Sequence, residues 1–248
     1  MKKLISLFCF SLSALFALTN FISCKSASVE LKNYSPVVLV TASGNTNLTW
    51  YEKNPPVNDK RSSESGFLTG KINSTLNADN LEYSFARDTL DKSVEVFASV
   101  LAEKSFEILT AENSPDLPCY KAGNSATAFL ENKISATGYK SVSSSNRSLR
   151  RATVKQSGAK SLVFLEFEFQ KLKSKNQDGE SCVKARVEMK VNLLNEEGKC
   201  IFKNKYTAVS SEGALLYGNA WSREEVISYF PALVEQCTSD FLSECYSQ

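Results

Sequence analysis

Between Val183 and Leu193 the chain alternates without a fault: Val183, Ala185, Val187, Met189, Val191 and Leu193 interleave with Lys184, Arg186, Glu188, Lys190 and Asn192. Successive side chains of a strand point to opposite faces, so this stretch specifies an antiparallel strand with one dry face and one wet face. Such a strand needs a partner for its backbone groups and a layer over its dry face. Both are written nearby. Residues 162–169 place Val163, Leu165, Phe167 and Phe169 on one side, with Glu166, Glu168 and Gln170 on the other. On the far side, Asn195, Glu196, Glu197 and Gly198 form a turn, with Gly198 where a left-handed residue is wanted. Pairing Leu194 with Lys199 sets Cys200, Phe202, Tyr206 and Ala208 against the dry face, which predicts Cys200 in the core.

The covering layer is helical. Ser222 followed by Glu225 is a capping box, and Val226, Phe230, Leu233, Cys237 and Phe241 recur at helical spacing behind it. A second amphipathic helix runs from Thr89 to Lys104 through Leu90, Val94, Phe97 and Leu101, with Asp88 as N-cap. Residues 36–41 (PVVLVT) read as a buried strand, and residues 106–110 as a short one for which helix competes. Residues 125–136 and 147–156 are predicted helices, and residues 54–66, rich in Pro, Ser and charge, a loop and the first site of proteolysis. Residues 171–175 (KLKSK) read as a charged hairpin tip. The expected architecture is α/β (α+β): a single two-layer domain over residues 36–248, a mixed sheet with a C-terminal antiparallel meander, and helices packed on one face.

The amino terminus carries a different kind of signal. Lys2 and Lys3 precede an apolar stretch at residues 4–18, and Phe21, Ile22, Ser23 and Cys24 follow a polar break. An apolar helix of that length covers about 22 Å, short of the roughly 30 Å hydrocarbon core, which favours a cleaved leader. Counting through Ile22 leaves a signal anchor open. The ending at Ser23 and Cys24 resembles the lipobox of bacterial lipoproteins, in the relaxed form seen in spirochaetes, with Phe21 and Ile22 in place of the usual Leu and small residue. That resemblance implies a leader of residues 1–23, cleavage between Ser23 and Cys24, and acyl chains, including palmitate, on Cys24. Residues 24–35 then form the acylated Cys and a short tether. The alternative is an ordinary secretory signal with Cys24 incidental.

Charge and residue usage narrow the function. Loss of Lys2 and Lys3 with the leader leaves 27 basic and 27 acidic side chains, so the exported domain has no overall pull on phosphate backbones and nucleic-acid binding is not expected. The 248 residues contain no histidine, which removes His-dependent triads and His-ligated metals. No C-x-x-C, P-loop, G-x-G-x-x-G or EF-hand series is present, and no metal or cofactor is expected. Cys119, Cys182, Cys200, Cys237 and Cys245 are odd in number, and buried free thiols are the favoured reading.

The order strand, helix, strand (FEILT), then Gly158 and Ala159 before a hydrophobic strand, a long hairpin and a closing helix resembles a known α/β domain. It is shared by the amino-terminal part of TolB, the curli secretion protein and the lipoprotein activator of penicillin-binding proteins. The likeness covers about residues 36–244 and implies a non-catalytic module that binds an envelope protein partner. The expected place is the bacterial envelope, lipid-anchored on the periplasmic side or the outer surface. A surface-displayed ligand- or host-binding lipoprotein is the alternative, and a His-free hydrolase the third reading. Glu166 and Glu168 sit side by side as paired catalytic carboxylates would, but Lys184, Arg186 and Lys190 make cross-strand ion pairing the simpler account.

For partner binding, Trp50 and Tyr51, placed in a loop after the first strand, and Leu216, Tyr217 and Trp221 in the loop before the last helix are the aromatic candidates. A ring packed under its own loop is the competing account of each tryptophan. Arg147, Arg150 and Arg151 form a basic cluster suited to phospholipid head groups or an acidic partner, with a solvated helix face as the plainer account.

Overall fold

The computed structural model describes residues 31–52, 81–125, 133–217 and 220–246. The leader, Ser23 and Cys24, and the loop expected at 54–66 lie outside them. Chain order runs from a 3-10 turn (Leu31–Tyr34) to β1 (Val37–Asn45), β2 (Thr49–Trp50), α1 (Leu81–Glu103) and β3 (Ile108–Leu109). The short α2 (Pro118–Lys121), β4 (Lys133–Ser135) and α3 (Arg147–Ser157) come next. The long meander β5 (Ser161–Lys175), β6 (Ser181–Asn195) and β7 (Cys200–Val209) then leads through β8 (Ala214–Leu215) to α4 (Arg223–Ser228) and α5 (Phe230–Tyr246). These strands make one mixed sheet ordered β3-β1-β5-β6-β7, parallel where β1 meets β3 and β5 and antiparallel across the meander. The expected α/β architecture is therefore the one observed.

Periodicity alone fixes the dry face. Val163, Leu165, Phe167 and Phe169 of β5 stand opposite Leu193, Val191, Met189 and Val187 of β6, and all eight are buried. The long helices cover them, Phe97 of α1 stacking on Phe241 of α5 at 6.2 Å while Phe241 also meets the rings of Phe202 and Tyr206. The capping box works as written, Ser222 Oγ accepting the Glu225 N–H at 3.2 Å. Its helix is broken once, at Tyr229, two residues before Pro231, which has no N–H to give the ladder. On the opposite face Leu162 and Leu194 are buried near α3, and Gln170, Arg186 and Glu188 are buried towards the other end.

Several local expectations are corrected. Helix α1 begins at Leu81, two turns early, so Asp88 lies inside it rather than capping it. It ends where Ser105 turns to a φ of 64°, which releases Ile108 into β3. Residues 133–135, expected in a helix, form β4, because Ser135, Ile134 and Lys133 pair with the end of β1. Residues 126–132 of that expected helix lie outside the described residues. Residues 214–215, expected as loop, pair with the start of β6. Cys200 is exposed, not in the core: a bulge after Leu193 shifts the register so that Leu194 pairs with Cys200. Residues 171–175 are strand, not a hairpin tip, and Lys171 falls on the dry-face row.

Candidate functional site

Lys171 organises one end of the molecule. Strand parity turns its side chain inward, where it is only 3% exposed. Strand β2 runs parallel beside it, pairing Trp50 with Lys171, so Trp50 is a strand residue rather than a loop residue. The Lys171 ammonium lies 4.8 Å from the Trp50 ring centre and 4.7 Å from that of Trp221. Those two rings meet edge to face at 6.4 Å. A cation held against desolvated aromatic faces is worth about 2 kcal/mol, which offsets part of the cost of taking an ammonium out of water. Two loops predicted separately as aromatic are thus brought together, and the lysine that joins them was read as solvated.

This arrangement also changes which rings face outward. Trp50 and Trp221 are half-buried and packed on the core, as the competing account had it, and Leu216 is half-buried too. Tyr51 is 56% exposed and Tyr217 is 74% exposed. Among the described residues, Val209 is the other exposed large apolar side chain, at the end of β7 opposite Arg186. The Arg186 guanidinium stacks 4.2 Å over the Tyr51 ring, holding that ring on the charged face. Tyr217 and Ala220 exchange backbone hydrogen bonds of 2.9 and 3.0 Å in an antiparallel bridge that fixes the backbone of Tyr217.

The charged face forms an ordered network. Glu166 accepts from Lys190 at 2.8 Å and from Lys133 of β4 at 2.9 Å. Burial pushes its carboxyl up, but the two lysine hydrogen bonds outweigh burial and hold it below the usual carboxylate range. The Lys190 ammonium is held above its usual range in return, by that same hydrogen bond. Glu188 meets Lys205 at 3.3 Å and Arg186 at 3.4 Å, and Arg186 also donates to Gln170, which donates to Glu168. The cross-strand pairing predicted for Glu166 is present. Lys184 departs from it and donates to the Ser211 carbonyl at 2.6 Å. Beside this network, β4 and residues 141–144 wall a cleft of about 880 Å³ whose floor is β1, β5, β6 and β7.

The arginine cluster divides. Arg150 is half-buried, donates to the Ser144 carbonyl and lies against Gly198 of the β6–β7 turn, whose φ of 83° favours glycine. It is a structural clamp. Arg147 and Arg151 are exposed on the same helix. Cys119, Cys182, Cys237 and Cys245 are free and buried, and burial pushes the Cys119 thiol up to about 11 and those of Cys237 and Cys245 up to about 12. At neutral pH these are protonated packing groups, poor nucleophiles and poor metal ligands. Among the described residues no group of acidic, Cys or His side chains is placed to hold a metal ion. No helix among them is long and apolar enough to cross a membrane. The chain matches no protein-family model, and no curated protein sequence is similar to it.

Proposed function

We propose that this chain is a bacterial envelope lipoprotein, held at the membrane by acyl chains on Cys24, that works as a non-catalytic interaction module. The observation that carries this reading is the separation of its two ends. The chain enters the sheet where the Tyr34 carbonyl accepts from Ser161 at the start of β5, and the exposed Tyr51 and Tyr217 lie beyond Lys171. At about 3.3 Å per residue, β5 from Ser161 to Lys171 is roughly 33 Å long. A lipid-tethered domain would thus present an aromatic rim well away from the bilayer, where a partner can reach it.

Aromatic side chains with rigid backing are the usual anchors of protein interfaces. Here the Lys171, Trp50 and Trp221 cluster is the backing, and Tyr51, Tyr217 and Val209 are the anchors. Acylation at about 0.8 kcal/mol per buried CH₂ gives stable attachment when two or more chains are present. Arg147 and Arg151, near the end where the chain enters, add head-group attraction of about 1 kcal/mol each. Affinity capture from detergent-solubilised envelopes tests the rim directly. A discrete protein should be retained by wild type, lost with the Tyr51→Ala/Tyr217→Ala double variant, and kept by Lys203→Ala. The tyrosines are cleaner probes than Trp221, whose truncation would also remove the backing. A capture profile unchanged by the double variant contradicts the proposal.

A further inference from the structure

We propose that the cleft on the charged face is a binding site for an acidic saccharide, separate from the aromatic rim. Its volume, about 880 Å³, falls in the range of small-molecule sites and leaves room for a short oligosaccharide. Four lysines line it, Lys133, Lys190, Lys203 and Lys205, against a single lining carboxylate, Glu166. Three of these lysines are fixed by ion pairs to Glu166 or Glu188. An ammonium has three donors, so the pairs of Lys190 and Lys205 leave donors over for a ligand. Lys203 forms no ion pair among the described residues and is exposed. With Glu188 counted beside Glu166, four lysines still face two carboxylates, so the cleft attracts negative charge.

The rest of its wall says what carries that charge. Hydroxyl and amide side chains, such as Ser43, Ser135, Ser141, Ser143 and Asn192, line it alongside the lysines. These groups both donate and accept, which suits sugar hydroxyls, whereas a bare anion calls for donors alone. Phe164 lies half-buried on the floor, between Thr41 of β1 and Asn192 of β6, and offers an apolar surface to the C–H face of a sugar ring. The geometry is that of a site for hydroxyl groups with at least one carboxylate or phosphate among them.

Calorimetric titration of the full chain in detergent tests this, using tri-galacturonic acid, its methyl ester, glucose 6-phosphate, glucose and inorganic phosphate as probes. At least one of the two acidic sugars should bind saturably, and the arm that binds identifies the anionic group. Its neutral counterpart and inorganic phosphate should each bind at least about tenfold more weakly, the loss expected for one charged hydrogen bond. Lys203→Glu should weaken the acidic sugar by about tenfold or more with an unchanged circular dichroism spectrum. Tyr51→Ala should leave it unaltered. Equal binding of acidic and neutral sugars, phosphate binding as tight as the sugar acid, no saturable binding of either acid, or indifference to Lys203→Glu would each overturn the proposal.

Discussion

Glu166 and Phe167 are neighbours on β5 and face different media. Phe167 is 1% exposed, opposite Met189 and stacked on Phe169 at 5.8 Å. Glu166 points the other way, part-exposed, and is held by two lysines from strands on either side of it. The dry face derives its stability from apolar area removed from water, a non-directional term, and a polar atom left there without a partner costs free energy. The charged face gains little from its ion pairs: the part-exposed pairs of Glu166 retain solvent and order long side chains, and for the buried Arg186–Glu188 pair desolvation offsets the attraction. What it gains is position: lysines and carboxylates are set at fixed places around a cleft. One face holds the sheet together, and the other is free to be used.

Thiol chemistry should give the largest contrast between covered and open sites. Cys200 is exposed, whereas Cys119, Cys182, Cys237 and Cys245 are buried. A disulfide dye at neutral pH should label Cys200 on the order of a thousandfold faster than those four, whose reaction waits on unfolding. Cys200→Ser should abolish the fast phase. Fast labelling of Cys237 or Cys245 would break the assignment of α5 to the dry face. Stability should show the next largest difference. Phe167→Ala should cost about 3–5 kcal/mol in urea unfolding, while Lys190→Ala on the opposite face costs about 1 kcal/mol or less. Comparable losses would mean that the charged network, not the core, holds the sheet.

The smallest effect concerns pH. The Glu166 carboxyl is lowered from its ordinary value of 4.5 by the lysine hydrogen bonds, so its contribution is present above that value and fades as pH falls through the lower, folded one. Glu166→Gln should therefore cost about 1 kcal/mol or less at neutral pH and flatten the loss of stability on the acid side. A steeper acid limb in the variant would reverse the sign assigned here.

The dry face was legible because its determinant is local: period two across β6 and helical spacing behind Ser222 each lie within a few turns of chain. The failures share a cause in distant partners. Strand β4 exists only because Ser135 meets Ser43 on β1, and nothing in its own residues marks a strand. Cys200 was misplaced because a bulge at Leu193 follows from how two strands twist together, not from the turn sequence alone. Lys171 has the parity of the dry face, but as one of three lysines within residues 171–175 it reads as solvated. Its burial depends on Trp50 and Trp221, contributed by opposite ends of the chain. Of the aromatic candidates, Trp50 and Trp221 pack on the core and Tyr51 and Tyr217 are exposed, a division that single-residue identity does not reveal.

The central claim is attachment through Cys24, since it sets which end of the sheet faces the membrane. Intact-mass and amino-terminal peptide spectrometry of the protein purified from its native envelope measures it directly. The account predicts a chain that begins at Cys24 and carries the added mass of acyl groups. A chain that retains residues 1–23, or a Cys24 thiol without acyl mass, would contradict it.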